Sequence, residues 1–177
     1  MSGNATGRVI VFTGEGKGKT TAALGTALRA IGQGFKVIRV QFIKGSWKSS
    51  EIESAKRLAP MLEIRPMGHG FVFKDKGPTP EDIKAAEDGW AFAQEKIQSG
   101  EYDLVILDEL NNAIHYGLLK LGDVLPELKA RPATLHVIVT GRNAKLEMIE
   151  AADLVTEMVC VKHPYQKGIV AQAGIDF

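Results

Sequence analysis

Residues 8–21 read RVIVFTGEGKGKTT: a β-branched run, a turn with three glycines and a Lys-Thr-Thr ending, after which the small-residue run AALGTALRA begins. Strand, glycine-rich turn and helix in that order form a phosphate site. Gly14, Gly16 and Gly18 let the backbone turn tightly enough to aim several N–H groups at one anion, and the positive end of the following helix adds to the field. Lys19 then supplies a mobile cation for phosphate oxygens, and the Thr20 hydroxyl is placed to ligate Mg²⁺ (or Mn²⁺). Thr21 reinforces the helix start. Glu15 and Lys17 lie within the turn, Lys17 either touching phosphate or simply solvated. The loop departs from the usual spacing: GxxxxGKT would require glycine at Thr13, and counted from Gly14 the turn is one residue short.

Outward from this turn, β-branched runs alternate with helix-like stretches. The runs are 8–12, 36–43, 62–67, 102–108, 134–140 and 154–161; the helix-like stretches are 20–32, 50–59, 80–98, 110–119, 122–130 and 144–152. That alternation predicts a parallel sheet with crossover helices. VIVF, LVIL and HVIV are continuously apolar, as central strands covered on both faces must be. Thr79-Pro80-Glu81-Asp82 sets an N-cap, a first-turn proline and two acids in order, and Ser99-Gly100 closes that helix. KGSWKSS (44–50) and MGHGFVFKDKGP (67–78) lack helical periodicity and read as functional loops.

YDLVILDEL (102–110) supplies the partner of the phosphate loop: a buried strand ending in Asp108-Glu109, at the carboxyl end where α/β sheets bind ligands. Asp108 is expected nearest the metal, holding Mg²⁺ directly or through water. Glu109 has two open roles, a base that activates water or a further metal and nucleotide contact. Arg142, in TGRN after a buried strand, is placed to reach phosphates.

The bulk properties narrow the class. At 177 residues one domain is expected, with residues 1–7 flexible. A net charge of +1 with both signs scattered gives no basic field for nucleic acid. The polar start MSGNATGR has no apolar signal region, and no stretch approaches the roughly 18 apolar residues of a membrane span, so a cytoplasmic location without membrane contact is expected. Cys160 is expected as inert buried filler. The four histidines lack zinc-site spacing, and Trp47 either covers a ligand or packs its loop.

Taken in sequence, VFTGEGKGKTTAALGTALRA, VQFIKGSW, GHGFVFK, VILDEL, ARPATLHVIVTGRN, AADLVTE and VKHPYQKGIVAQAGIDF resemble the P-loop ATP:corrinoid adenosyltransferases of the cobalamin pathway over nearly the whole chain. The short GEGKGKT loop, VQFIKG and the carboxy-terminal VKHxxxxGxxAQxGID pattern are the distinctive parts. The fold so implied is α/β, a P-loop NTPase (RecA-like) domain with a mostly parallel sheet of about six strands flanked by helices.

The resemblance also implies the reaction. A Co(I) corrinoid attacks the 5′ carbon of ATP and triphosphate leaves, with ATP reversed so that the loop clamps the leaving group. Lys19, Thr20 and Glu109 would then be catalytic, Glu109 binding metal or nucleotide instead of activating water. Phe71 and Phe73 match the side chains that lie under the corrin and displace its lower ligand, although a familiar member has tryptophan where Phe73 stands. The family implies a homodimer and an electron donor such as a flavoprotein. Familiar members also carry an amino-terminal lid; with seven residues before Arg8, that lid is expected to be missing or supplied from elsewhere. Three other outcomes compete: a P-loop ATPase yielding ADP and phosphate, a small-molecule kinase, and a nucleotide-dependent corrinoid carrier.

Overall fold

In the computed structural model, which describes residues 6–43, 50–68 and 77–176, the apolar runs assemble into one parallel six-stranded sheet. The strands are β1 (Val9–Thr13), β2 (Val37–Gln41), β3 (Leu62–Pro66), β4 (Leu104–Asp108), β5 (His136–Thr140) and β6 (Leu154–Glu157). The helices are α1 (Lys19–Ile31), α2 (Ser50–Arg57), α3 (Pro80–Gln98), α4 (Leu110–His115), α5 (Leu121–Ala130) and α6 (Leu146–Ala151). The spatial order is β3-β2-β4-β5-β1-β6, so β5 lies between the strand that feeds the phosphate loop and the strand that ends in Asp108.

Burial follows the sequence pattern. All five residues of β4 are buried, as are four of five in β1 and in β5, the three strands whose continuous apolar character predicted cover on both faces. On one face, Ala23 and Ala27 of α1 and Ala55 of α2 meet Phe12, Val37, Ile106 and Ile138. Their small side chains let α1 lie close to the sheet. The opposite face carries the larger core, where Trp90 and Ile97 of α3, Leu110 of α4, Leu128 of α5 and Met148 of α6 cover Val11, Ile38, Val105, Leu107, Val137 and Val139. Each such aliphatic side chain contributes about 1.5–3 kcal/mol by leaving water.

The predicted 80–98 helix is observed with those bounds. Thr79 accepts from the Asp82 amide at 3.1 Å, and Asp82 accepts from the Thr79 amide at 3.0 Å, so two otherwise orphaned donors are satisfied reciprocally. Other elements are shorter than expected. The expected strand 154–161 ends at Glu157: the Met158 amide bonds the end of β1 at Thr13, and its carbonyl turns to accept from Gly16 of the phosphate loop. The expected helix 110–119 ends at His115, where the Tyr116 amide closes the helix and Gly117 follows at φ 76°. Among the described residues, no helix is long and apolar enough to cross a membrane.

In parallel register every strand delivers its carboxyl end to the same edge: Thr13, Gln41, Asp108, Thr140 and Glu157 all collect there. Ile138 sits at the centre of this layer, fully buried, with Ile10 and Ile106 as register neighbours. Ile138→Ala should therefore lower the unfolding free energy by about 3 kcal/mol, read from chemical denaturation, with the slope against denaturant unchanged.

Candidate active site

The phosphate loop spans Gly14 to Gly18, between β1 and α1. Gly18 caps α1 at φ 111°, a left-handed conformation that a residue with Cβ reaches only under strain. Gly16 is required for a second reason. Its amide donates to the Met158 carbonyl at 2.7 Å, and a Cβ there would fall 2.7 Å from the Val159 carbonyl oxygen. The loop is braced from outside by the chain leaving β6. Glu15 and Lys17 are exposed, and Thr21 is exposed in the first turn of α1. Lys17 reaches Asp176 in the carboxy-terminal tail, and Arg142 pairs with Glu15 at 3.2 Å.

Lys19 is buried, and its ammonium curls back into the loop to donate to the carbonyls of Gly14 (2.8 Å) and Gly16 (2.7 Å). An ammonium has three donors, so one is left beyond these two bonds. Burial lowers the pKa of this group, as does the nearby Arg142, while Glu109 and Glu15 raise it.

The Thr20 hydroxyl donates to Asp108 Oδ1 at 2.9 Å, tying the start of α1 to the end of β4. Thr140, the last residue of β5, donates to the same oxygen at 2.6 Å. Its own Oγ1 accepts from the Glu109 amide at 2.9 Å. The other carboxylate oxygen, Oδ2, accepts from Arg39 Nε (3.0 Å) and Nη2 (2.5 Å), in an ion pair whose side chains are 2% and 1% exposed.

Glu109 follows at φ 63°, one of two non-glycine residues with positive φ among those described. A glutamate in that region costs on the order of 1–3 kcal/mol, and such outliers collect at functional sites. Burial, and then the Asp108 carboxylate, push the Glu109 carboxyl up to about 7 against the pull of Lys19, Arg142 and Arg39.

The structure thus gathers Lys19, Thr20, Asp108 and Glu109 at one place, with Arg142 at the rim through Glu15. Phe71, Phe73 and Trp47 lie outside the described residues. Cys160 is half-buried, so its expected burial is only partly met, because the chain beyond Met158 runs across the surface instead of continuing the strand. Arg39, Thr140 and Met158 were missed by sequence reasoning. Arg39 had left a signal: a charge inside VIRVQ, a strand otherwise apolar up to Gln41, needs a buried carboxylate, and Asp108 ends another buried strand. Met158 had left none, since its role is a backbone contact.

Three comparisons bear on this geometry. The family model described as ATP:corrinoid adenosyltransferase BtuR/CobO/CobP matches residues 5–177. Corrinoid adenosyltransferases of Pseudomonas aeruginosa and Escherichia coli are 44% and 43% identical to this chain, covering 97% of it and 84% and 86% of their own lengths. Similar in fold alone are the flagellar accessory protein FlaH of Methanocaldococcus jannaschii, at TM-score 0.60 and 16% identity over 88% of this chain and 72% of that one, and the RadB recombinase, at 0.55 and 19% over 90% and 78%.

The Glu109 carboxyl gives the nucleotide-free protein a distinct pH dependence. An unfolded glutamate titrates near 4.5 and the folded one near 7, so the folded state holds its proton more tightly. The associated stabilisation is full below pH 4.5, falls as pH rises through 7 and then levels off. Glu109→Gln should flatten the decline between pH 5 and 8 by roughly 2–3 kcal/mol, measured by denaturation at each pH without nucleotide or metal.

Proposed function

This chain belongs to the ATP:corrinoid adenosyltransferase family, and we propose that Gly14 to Thr20 clamp the triphosphate that departs as a corrinoid Co(I) attacks the 5′ carbon of ATP. The enzyme is a transferase that moves the 5′-deoxyadenosyl group of ATP to the corrinoid in cobalamin biosynthesis. A cobalt–carbon bond forms, the C5′–O bond breaks, and its electron pair leaves with the triphosphate. No water need be activated. What the protein must supply is stabilisation of negative charge growing on the leaving group.

The observation that carries this reading is the set of bonds on Lys19. Held by two loop carbonyls, the ammonium is oriented before any anion arrives, and its third donor is the one offered to phosphate. The first-turn amides of α1 have no intrahelical acceptor and add to the same field. Glu15, Lys17, Thr21 and Arg142 border this clamp as further phosphate contacts.

The donor set also fits a hard divalent cation, Mg²⁺ or Mn²⁺. The Thr20 hydroxyl gives its proton to Asp108, which leaves its oxygen lone pairs for a cation, and Glu109 adds a carboxylate beside it. Bound there, the cation would neutralise charge on the triphosphate. Among the described residues, no group of three or more His, Cys, Asp or Glu is placed to hold a metal, so phosphate oxygens and water would complete the shell. Asp108 then acts through the Thr20 hydroxyl, and Glu109 serves as metal or nucleotide contact. Phe71 and Phe73 are proposed under the corrin, on the family resemblance. That resemblance also supports a cytoplasmic homodimer of single-domain chains served by an electron donor such as a flavoprotein.

One observation favours a second reading. A carboxyl near 7 is what a base activating water would show, which would make Glu109 the centre of an ATPase. The products separate the two. With ATP, Mg²⁺ and pre-reduced corrinoid, the enzyme should release triphosphate and form adenosylcorrinoid. Lys19→Ala and Thr20→Ala should each lower kcat/KM by about 10²-fold or more in a protein that still folds, Thr20→Ala also losing about 1–3 kcal/mol of stability with its bond to the buried Asp108 carboxylate. Rapid phosphate release without corrinoid, abolished by Glu109→Gln, would overturn adenosyl transfer as the reaction.

A further inference from the structure

The Asp108 carboxylate accepts four hydrogen bonds: from Thr20 and Thr140 at Oδ1, and from two nitrogens of Arg39 at Oδ2. A carboxylate offers about four lone-pair sites, so this one is saturated. Its charge is also cancelled by a guanidinium buried with it, 2.5 Å from Oδ2. Burying such a pair is costly unless both partners are well bonded, and here the carboxylate is. β2 dictates the arrangement. Arg39 sits one pleat below Gln41, whose register partner is Asp108, so the guanidinium has only to reach up the same face of the sheet.

We propose that Arg39 is a positioning residue that closes Asp108 to free divalent cations, so that the site takes its cation only together with the phosphates of a nucleotide. The proposal rests on the cation site described above. With Asp108 saturated and neutralised, the protein offers a cation one hydroxyl and one carboxylate, Thr20 and Glu109, too little negative charge to draw a hard ion out of its own water shell. A triphosphate brings the missing charge, on oxygens that displace some of that water. In the loaded site Arg39 also keeps Oδ1 turned toward Thr20, fixing the direction in which that hydroxyl offers its lone pairs. Adventitious metal binding to the empty enzyme is thereby excluded.

The test uses Mn²⁺ alone, with neither nucleotide nor corrinoid, so it does not depend on adenosyl transfer taking place. Free Mn²⁺ is followed by its paramagnetic resonance signal while the full-length protein is titrated at pH 8, and the unfolding midpoint is recorded with and without the ion. The parent should show no saturable binding at millimolar Mn²⁺ and no shift in midpoint. Arg39→Met frees Oδ2 and restores its charge, and should bind Mn²⁺ at least about tenfold more tightly with a metal-dependent rise in midpoint. Arg39→Gln, which keeps a donor without the charge, should gain the same binding and gives the readout if the methionine variant fails to fold. Arg39→Lys should behave as the parent, and adding Asp108→Asn to Arg39→Met should abolish the gain. Tight Mn²⁺ binding by the parent would overturn the proposal, as would a folded Arg39→Met or Arg39→Gln that binds no more tightly than the parent.

Discussion

One carboxylate ties together the parts of this protein that must not move relative to one another. Asp108 ends the buried strand β4 and accepts bonds from β2 through Arg39, from α1 through Thr20 and from β5 through Thr140. The strand carrying the phosphate loop is separated from β4 by β5, so no backbone bond links them directly. The side-chain bridge from Thr20 to Asp108 makes that link, and Thr140, on the intervening strand, completes it and receives the Glu109 amide. A buried carboxylate is tolerated only when hydrogen-bonded and paired. The burial that makes Asp108 costly alone is what makes its three partners hold their places.

The phosphate loop is held by a different principle, close backbone contact. A loop one residue short has less slack, and here its outer side is pinned by the chain leaving β6. Met158 donates to Thr13 and accepts from Gly16, so the edge strand continues into a brace instead of a longer strand. The tail then returns Asp176 to Lys17 on the exposed side of the same loop. Turning tightly and admitting a neighbour therefore fall on Gly18 and Gly16, with only Lys17 between them. Lys19 uses the interior that this brace encloses, bonded to loop carbonyls that a looser turn would not present together.

These constraints suit a reaction at carbon. A hydrolase must position and deprotonate water, whereas adenosyl transfer asks the protein to hold a leaving triphosphate and to keep water out of the way. In the proposed reaction, an ammonium oriented in advance, helix amides without acceptors and a charge-balanced Asp108 would form a clamp that needs little reorganisation when phosphate binds, which is the source of electrostatic stabilisation in a transition state. Glu109, strained and half-buried beside a second acid, is the one unsaturated carboxylate in this set, and a cation arriving with the triphosphate would relieve its position.

Much of this was legible in the sequence. The continuous apolar runs of β1, β4 and β5 could only be doubly covered parallel strands, and parallel strands bring their carboxyl ends to one edge, so GKGKTT and DEL had to meet there. The capping residues around Thr79 defined α3 to the residue, because a cap is a local bond between near neighbours. What the tertiary structure alone decided was who partners whom across the sheet. That Arg39 takes one oxygen of Asp108 and Thr140 the other depends on the order β2-β4-β5, which local pattern does not encode. Likewise, the end of β6 at Glu157 follows from a backbone contact with Gly16, nearly the full length of the chain away. Periodicity and capping act over a few residues and are written in the sequence directly; pairing of buried charges and close backbone approach act across the fold, and only the assembled sheet selects among the partners that the sequence allows.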